Sequence, residues 1–233
     1  MSLSKQIYKF VHEQVPGEAL LVSDIIDYHL PDVYTETEER KLRQNAYVIL
    51  NHLVQKEETI KRYDTGIYYR TSEDILQINQ PSLITRLFIE NYKGEKFGYY
   101  THDLCLRLRG GEVGPPEQRE VVSNFWRRQI DTSILGIKVV APMVELTSNN
   151  IQMLQLLDVL RCDSTITQNQ HVRQSIVNYI LKHDIGLAEL MALAVTHTNK
   201  KVVYSLALLS RDYVVEKKKE QIHGVSSGTK TIV

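Results

Sequence analysis

Three segments with a helical spacing of apolar residues, followed by two β-rich runs, occupy the first 72 residues of the chain. The helical segments cover residues 3–15, 23–30 and 38–56. The β-rich runs flank the turn Asp64-Thr65-Gly66, where a glycine favours a hairpin. This order predicts a winged helix. The first two helices and the hairpin would bury one face of the third helix, and its other face would be free to enter a major groove.

The third predicted helix has an apolar face and an opposite polar face. Its apolar residues cluster within roughly 100° of the helix circumference, and they are Leu42, Ala46, Ile49, Leu50 and Leu53. The opposite side chains suit DNA, because arginine pairs with guanine or phosphate, whereas glutamine and asparagine read adenine. Together with two basic residues beside the hairpin turn, the predicted DNA contacts are Arg40, Arg43, Gln44, Tyr47, Asn51, Lys61 and Arg62. The alternative interpretation of this set is a solvated helix face.

The charge balance excludes a protein that binds nucleic acid by bulk positive charge. Lysine and arginine number 28, as do aspartate and glutamate, and residues 1–72 carry 9 basic and 11 acidic side chains. Three of these carboxylates, Glu36, Glu38 and Glu39, lie at the start of the third predicted helix, where they would repel phosphate. DNA binding would therefore depend on a local patch and on salt concentration, and a homodimer is expected to be needed for tight binding.

Beyond the hairpin, the sequence predicts a domain boundary and then a mixed α/β region. Residues 72–80 are polar and end at Pro81. Strands are expected at 120–126 and 137–146, with Pro142 assigning part of the second to an edge or a bulge. The segment 187–195 is so apolar that it is expected to be a helix buried in the core or at an interface. The fold class is thus α+β, with an N-terminal winged helix-turn-helix, a mixed α/β region and a C-terminal helical bundle. The predicted domains are 1–72 and 82–215, followed by a disordered tail at 216–233.

Several short motifs resemble a known protein family. The matching spacing consists of Arg62, Gly66 and the run Ile67-Tyr68-Tyr69, and further likeness lies in 98–108, 120–124 and 150–158. In this order the motifs resemble antitoxins of abortive-infection type IV toxin–antitoxin systems, the AbiEi-like family, over about residues 20 to 160.

The resemblance implies a bacterial, cytoplasmic transcription regulator. Its N-terminal winged helix would repress its own operon by binding operator DNA, and its C-terminal domain would neutralise a nucleotidyltransferase-like toxin. The family's DNA contacts would fall on the third helix and the wing, at the seven residues predicted from the helix and the hairpin.

The chain shows no signature of an enzyme, a cofactor site or a metal site. It lacks a Gly-x-Ser-x-Gly elbow and a phosphate loop, and its eight histidines are scattered without metal-ligand spacing. We therefore expect no catalysis, no cofactor and no metal. The run Phe125-Trp126-Arg127-Arg128 is compatible with a stacked nucleotide or RNA, or simply with the end of a strand on the core. The longest near-apolar stretch, 134–144, is shorter than the roughly 20 residues of a membrane span, so no membrane partner is expected.

Three functions are compatible with these observations. The leading hypothesis is a DNA-binding regulator of antitoxin type. The second is a protein-interaction module that uses its winged helix for docking, as the acidic excess of residues 1–72 and the apolar segment 187–195 suggest. The third is an enzyme acting on nucleotides through a site in the unassigned α/β region.

Overall fold

The computed structural model describes residues 2–29, 35–111, 119–128, 130, 132–163 and 166–226. Within these ranges the chain has nine α-helices, one short 3₁₀-helix and two three-stranded sheets, so the predicted α+β class is confirmed. The chain forms two compact units. Unit 1 comprises residues 1–98 and 123–135, and unit 2 comprises residues 99–122 and 136–233. None of the helices in the described part of the chain combines the length and apolarity needed to cross a bilayer.

Unit 1 contains the three helices and the hairpin expected from the sequence. Its elements are α1 (Leu3–Glu13), β1 (Leu20–Leu21), α2 (Val22–His29), α3 (Glu36–Lys56), β2 (Ile60–Asp64), β3 (Ile67–Arg70) and α4 (Gln80–Phe88). The three strands are antiparallel in the order β1-β3-β2. The central strand places Tyr68 opposite both Leu20 and Arg62.

A single apolar cluster holds α1, α2, α3 and the sheet of unit 1 together. Ile7 and Phe10 of α1, Ile25 of α2, Leu50 of α3 and Tyr68 of β3 are all almost completely buried in it. The helices and the sheet therefore share one core, formed by the inner faces that the apolar spacing predicts.

The compact unit extends beyond the boundary predicted at residues 72–81. The Ala19 backbone N–H donates to the Ser82 hydroxyl at 3.1 Å, and the Ser82 hydroxyl in turn donates to the Glu18 carboxylate. Arg86 of α4 forms an ion pair with Asp24 of α2 at 2.7 Å. These contacts attach α4 to the N-terminal elements, and they join residues far apart in sequence, which local patterns do not register.

Unit 2 consists of a small sheet and a helical core. Its elements are β4 (Gly98–Tyr100), α5 (Thr101–Leu108), β5 (Arg119–Ser123), β6 (Ile137–Val140), α6 (Ile151–Cys162), a 3₁₀-helix (Ile166–Gln168), α7 (Gln170–Lys182), α8 (Leu187–His197) and α9 (Lys200–Ser226). The first residue of β4, Gly98, and the last residue of β5, Ser123, belong to unit 1. The strand order is β4-β5-β6, and β5 and β6 are parallel. The strand predicted to reach residue 146 ends at Val140, two residues before Pro142, which has no N–H to donate to a sheet.

Two expectations from the sequence concern the C-terminal helices. Helix α8 is not buried as a whole, since Leu190 and Ala194 are buried but Val195 is 63% exposed. Helix α9 continues to Ser226, so the predicted disordered tail begins inside a helix, and residues 227–233 lie outside the described part of the chain.

Candidate nucleic-acid interface

A capping box between Thr35 and Glu38 fixes the start of α3. The Thr35 hydroxyl accepts a hydrogen bond from the Glu38 backbone N–H at 3.3 Å, and the Thr35 backbone N–H donates to the Glu38 carboxylate at 2.8 Å. These bonds to Thr35 hold the pKa of the Glu38 carboxyl below its usual range. One of the three carboxylates at the start of α3 thus serves to cap the helix.

The body of α3 separates a buried face from an exposed one, as its spacing predicts. Leu42, Ala46, Leu50 and Leu53 are buried, and Ile49 packs partly buried against the same cluster. On the other side, three of the predicted contact residues are exposed and two are half-buried. The exposed residues are Arg40, Gln44 and Asn51, and the half-buried ones are Arg43 and Tyr47.

Arg43 already has an ionic partner on its own helix. Its guanidinium lies 2.6 Å from a carboxylate oxygen of Glu39, one turn earlier on α3, and both side chains are partly exposed. Such a pair at the surface contributes only about 0.3–0.5 kcal/mol, so a phosphate can displace Glu39 at little cost.

Tyr47 and Asn51 connect α3 to the hairpin. The Tyr47 hydroxyl lies 2.9 Å from where a Cβ on Gly66 would stand, and Gly66 has a φ of +77°. The Tyr68 hydroxyl donates to the Asn51 side-chain oxygen at 3.3 Å. Both predicted contact residues therefore help to position the hairpin against α3, a role that helical spacing alone does not reveal.

The two basic residues of the hairpin differ in their freedom. Arg62 donates to the Asp64 carbonyl at 3.2 Å and to the Thr65 hydroxyl at 3.0 Å, so its guanidinium stabilises the turn. The side chain of Lys61 is exposed. Within the described residues, Arg40, Gln44 and Lys61 have no side-chain hydrogen bond or ion pair, which leaves them available to a ligand.

A segment distant in sequence adds side chains next to α3. The predicted strand 120–126 ends at Ser123, because the Ser123 hydroxyl accepts from the Phe125 backbone N–H at 3.1 Å and starts a turn. After that turn, Phe125 and Arg128 line a cavity together with Arg43 and residues of the hairpin. The run 125–128 was predicted as a possible stacking segment, but its closeness to α3 was not predicted. Local sequence patterns do not indicate contacts between residues so far apart in the chain.

No group of three or more histidine, cysteine, aspartate or glutamate side chains positioned to hold a metal ion occurs in the described ranges. The side chains around α3 include cationic, amide and aromatic groups, which can bind anions and nucleobases, together with the carboxylates of Glu38 and Glu39 near the start of the helix.

Comparisons with known proteins found no match that bears on the function of α3. No family model matches the chain, and no curated protein or solved structure is significantly similar to it. The residues around α3 must therefore be judged by what they contact and what they expose.

Proposed function

We propose that residues 1–72 form a winged helix that binds double-stranded DNA through α3 and the hairpin. The observation that carries the proposal is the exposed outer face of α3, with Arg40 and Gln44 projecting from a helix whose inner face is buried. The antiparallel order β1-β3-β2 beside three helices is typical of winged helices.

The charges around α3 favour binding that is local and salt-sensitive. Arg40 and Lys61 supply two unpaired cations among the described residues, and Arg43 supplies a third when phosphate displaces Glu39. Few phosphate contacts give modest affinity, because each neutralised phosphate adds only one counterion-release contribution. A homodimer that places two α3 helices on successive half-sites would supply the missing affinity.

We further propose that this DNA is the operator of the protein's own operon and that the protein acts as an antitoxin in a bacterial cytoplasm. The support is the order of the motifs along the chain, including the Gly66-Ile67-Tyr68-Tyr69 run. Under this proposal unit 2 contacts the toxin. An adjacent reading frame encoding a nucleotidyltransferase-like protein is the simplest observation that tests it.

Binding to the DNA upstream of the gene tests the DNA proposal directly. The variant Arg40→Ala/Gln44→Ala should weaken binding about tenfold or more at about 0.1 M salt, since a good base contact contributes roughly 1–3 kcal/mol. Fluorescence anisotropy with a labelled duplex measures the affinity.

Lys56→Ala is the matched control for this experiment. Lys56 is an exposed cation on the same helix, but it lies beside α1, away from Arg40. The control variant should bind as the wild type does. Equal binding by the double variant and the wild type would overturn the proposal.

A second candidate function is a protein-docking module, and a specific surface favours it. Tyr8 of α1 and Val48 of α3 line an apolar groove of about 740 Å³, and Val48 is 69% exposed. Under this alternative, Val48→Glu abolishes co-purification with the partner, and the wild type shifts no DNA in a mobility assay.

A further inference from the structure

A second cavity in unit 1 lies beside α3 and the hairpin turn. It has a volume of about 470 Å³, within the usual range for small-molecule sites. Its described lining contains two arginines and no carboxylate, together with several apolar side chains. The side chains most relevant to a ligand are those of Arg43, Tyr47, Ile67, Leu87, Phe125 and Arg128.

Arg128 is the unusual feature of this cavity. Its guanidinium stacks 4.3 Å from the centroid of the Phe125 ring, and the side chain is partly buried. Among the described residues, no carboxylate forms an ion pair with it and no side chain accepts a hydrogen bond from it. Burial lowers the pKa of the Arg128 guanidinium, although the charge of Asp24 opposes that shift. A partly buried cation without a partner is stabilised by any anion that enters the cavity.

The nearest acidic groups do not fill this role. Asp24 pairs with Arg86 at 2.7 Å and accepts the Leu21 backbone N–H at 2.8 Å, so its two oxygens are engaged elsewhere. Glu39 pairs with Arg43 at a partly exposed position. The cavity therefore presents Arg128 and, once Glu39 is displaced, Arg43 to a ligand.

The other side chains that line the cavity indicate the kind of molecule that could accompany the anionic group. Ile67 and Leu87 provide apolar surface, and Phe125 and Tyr47 provide aromatic surface. Phe125 is held by an edge-on contact with Phe97, with ring centroids 4.7 Å apart. An anionic group beside a flat, weakly polar body matches such a lining.

We propose that this cavity binds a small phosphate ester with an aromatic body, of the nucleoside monophosphate class. Arg128 holds the phosphate, Arg43 assists at the rim, and the base lies against the apolar and aromatic lining. This site does not depend on DNA binding, although Arg43 also belongs to the proposed DNA face. Ligand binding is therefore tested in the absence of DNA.

The chain's single tryptophan provides the readout. Trp126 directly follows Phe125 and is partly exposed, with Arg127 over its ring at 4.5 Å. Titration of the full-length protein with AMP and with GMP should change Trp126 fluorescence saturably, and calorimetry should give the same affinity. Arg128→Gln should weaken that affinity about tenfold or more, because it removes a charge-assisted contact. Arg127→Gln is the matched control and should bind as the wild type does.

Further measurements show which part of the ligand, and which residue of the cavity, causes the change in Trp126 fluorescence. Inorganic phosphate and adenosine should each bind much more weakly than AMP, and equal binding by phosphate would overturn the aromatic part of the proposal. Arg128→Lys, which keeps the charge, should retain intermediate affinity and serves if the glutamine variant does not fold. Absence of a response to both nucleotides, or a response only to duplex DNA, would overturn the proposal, the latter by assigning the cavity to the DNA face.

Discussion

In the described part of each compact unit one aspartate is buried, but the two units compensate its charge differently. Asp24 in unit 1 pairs at 2.7 Å with Arg86, whose side chain is only 15% exposed. Asp158 in unit 2 accepts the Tyr99 hydroxyl at 2.6 Å. Arg161 lies 3.0 Å from the other oxygen of Asp158, but it lacks hydrogen-bond geometry and is 45% exposed. A buried charge therefore meets a buried countercharge in unit 1 and mainly a neutral donor in unit 2.

The two units also differ in the size of their largest apolar cluster. The described part of unit 1 has 13 buried residues in its apolar cluster, and that of unit 2 has 23. Unit 1 uses the Asp24–Arg86 pair to attach α4 to α2, whereas unit 2 packs helices against one another through leucine, isoleucine and valine. Loss of Arg86 would leave a buried carboxylate of unit 1 without its countercharge, which makes this pair a sensitive contact of the unit.

The largest expected effect is the loss of Arg86. Arg86→Met leaves the Asp24 carboxylate buried without its countercharge and should lower the free energy of unfolding of unit 1 by about 3–5 kcal/mol near neutral pH. Urea unfolding followed by the fluorescence of Trp126, which belongs to unit 1, measures the effect.

Arg161→Met in unit 2 is the control for this comparison. Because Arg161 is more exposed, its loss should cost about 1 kcal/mol or less, measured by far-ultraviolet circular dichroism. The double variant Asp24→Asn/Arg86→Met should recover much of the stability lost in Arg86→Met. Equal costs for the two arginine variants would contradict the comparison.

A smaller effect is expected at the hairpin turn of unit 1. Gly66 and Gly136 both have positive φ, +77° and +63°, but only Gly66 has a neighbour close to the position of an added Cβ, the Tyr47 hydroxyl. An alanine in the left-handed region costs roughly 1–2 kcal/mol, so Gly136→Ala should lose about that much. Gly66→Ala should lose more, as measured by urea unfolding. If Tyr47→Phe did not reduce the extra cost in Gly66→Ala, the close contact would not be its cause.

The smallest effect concerns the pH dependence of unit 2. Burial raises the pKa of the Asp158 carboxyl above its usual range, and the Tyr99 hydrogen bond and Arg161 only partly oppose this. The unfolded state therefore ionises first, near pH 4, and the stability present at low pH is lost as pH rises through the folded pKa. Asp158→Asn removes that loss. Its free energy of unfolding relative to the wild type should thus increase between about pH 4 and pH 7, and a pH-independent difference would refute this cause.

Local patterns predicted much of unit 1 and the polar face of α3. The buried residues Leu42, Ala46, Leu50 and Leu53 follow directly from helical spacing, and Gly66 marks the hairpin turn because of its positive φ. These signals are readable because each depends on residues within about two helical turns or one hairpin of one another.

Contacts between distant residues were missed for the opposite reason. The attachment of α4 through Arg86, and the approach of Phe125 and Arg128 to Arg43, join residues separated by more than 60 positions. The engagement of Arg43 by Glu39 and of Arg62 by its own turn was also not evident, since a basic side chain has the same pattern whether it is free or paired.

The sequence by itself determined which residues are apolar, how they repeat and where the turns can form. These properties place the elements of unit 1 and a basic, amide-bearing face on α3. Only the tertiary structure decided which of those polar groups are already occupied and which cavity gathers Arg43, Phe125 and Arg128. The physical reason is that hydrogen bonds, ion pairs and burial depend on distances in space, which helical or strand periodicity does not encode.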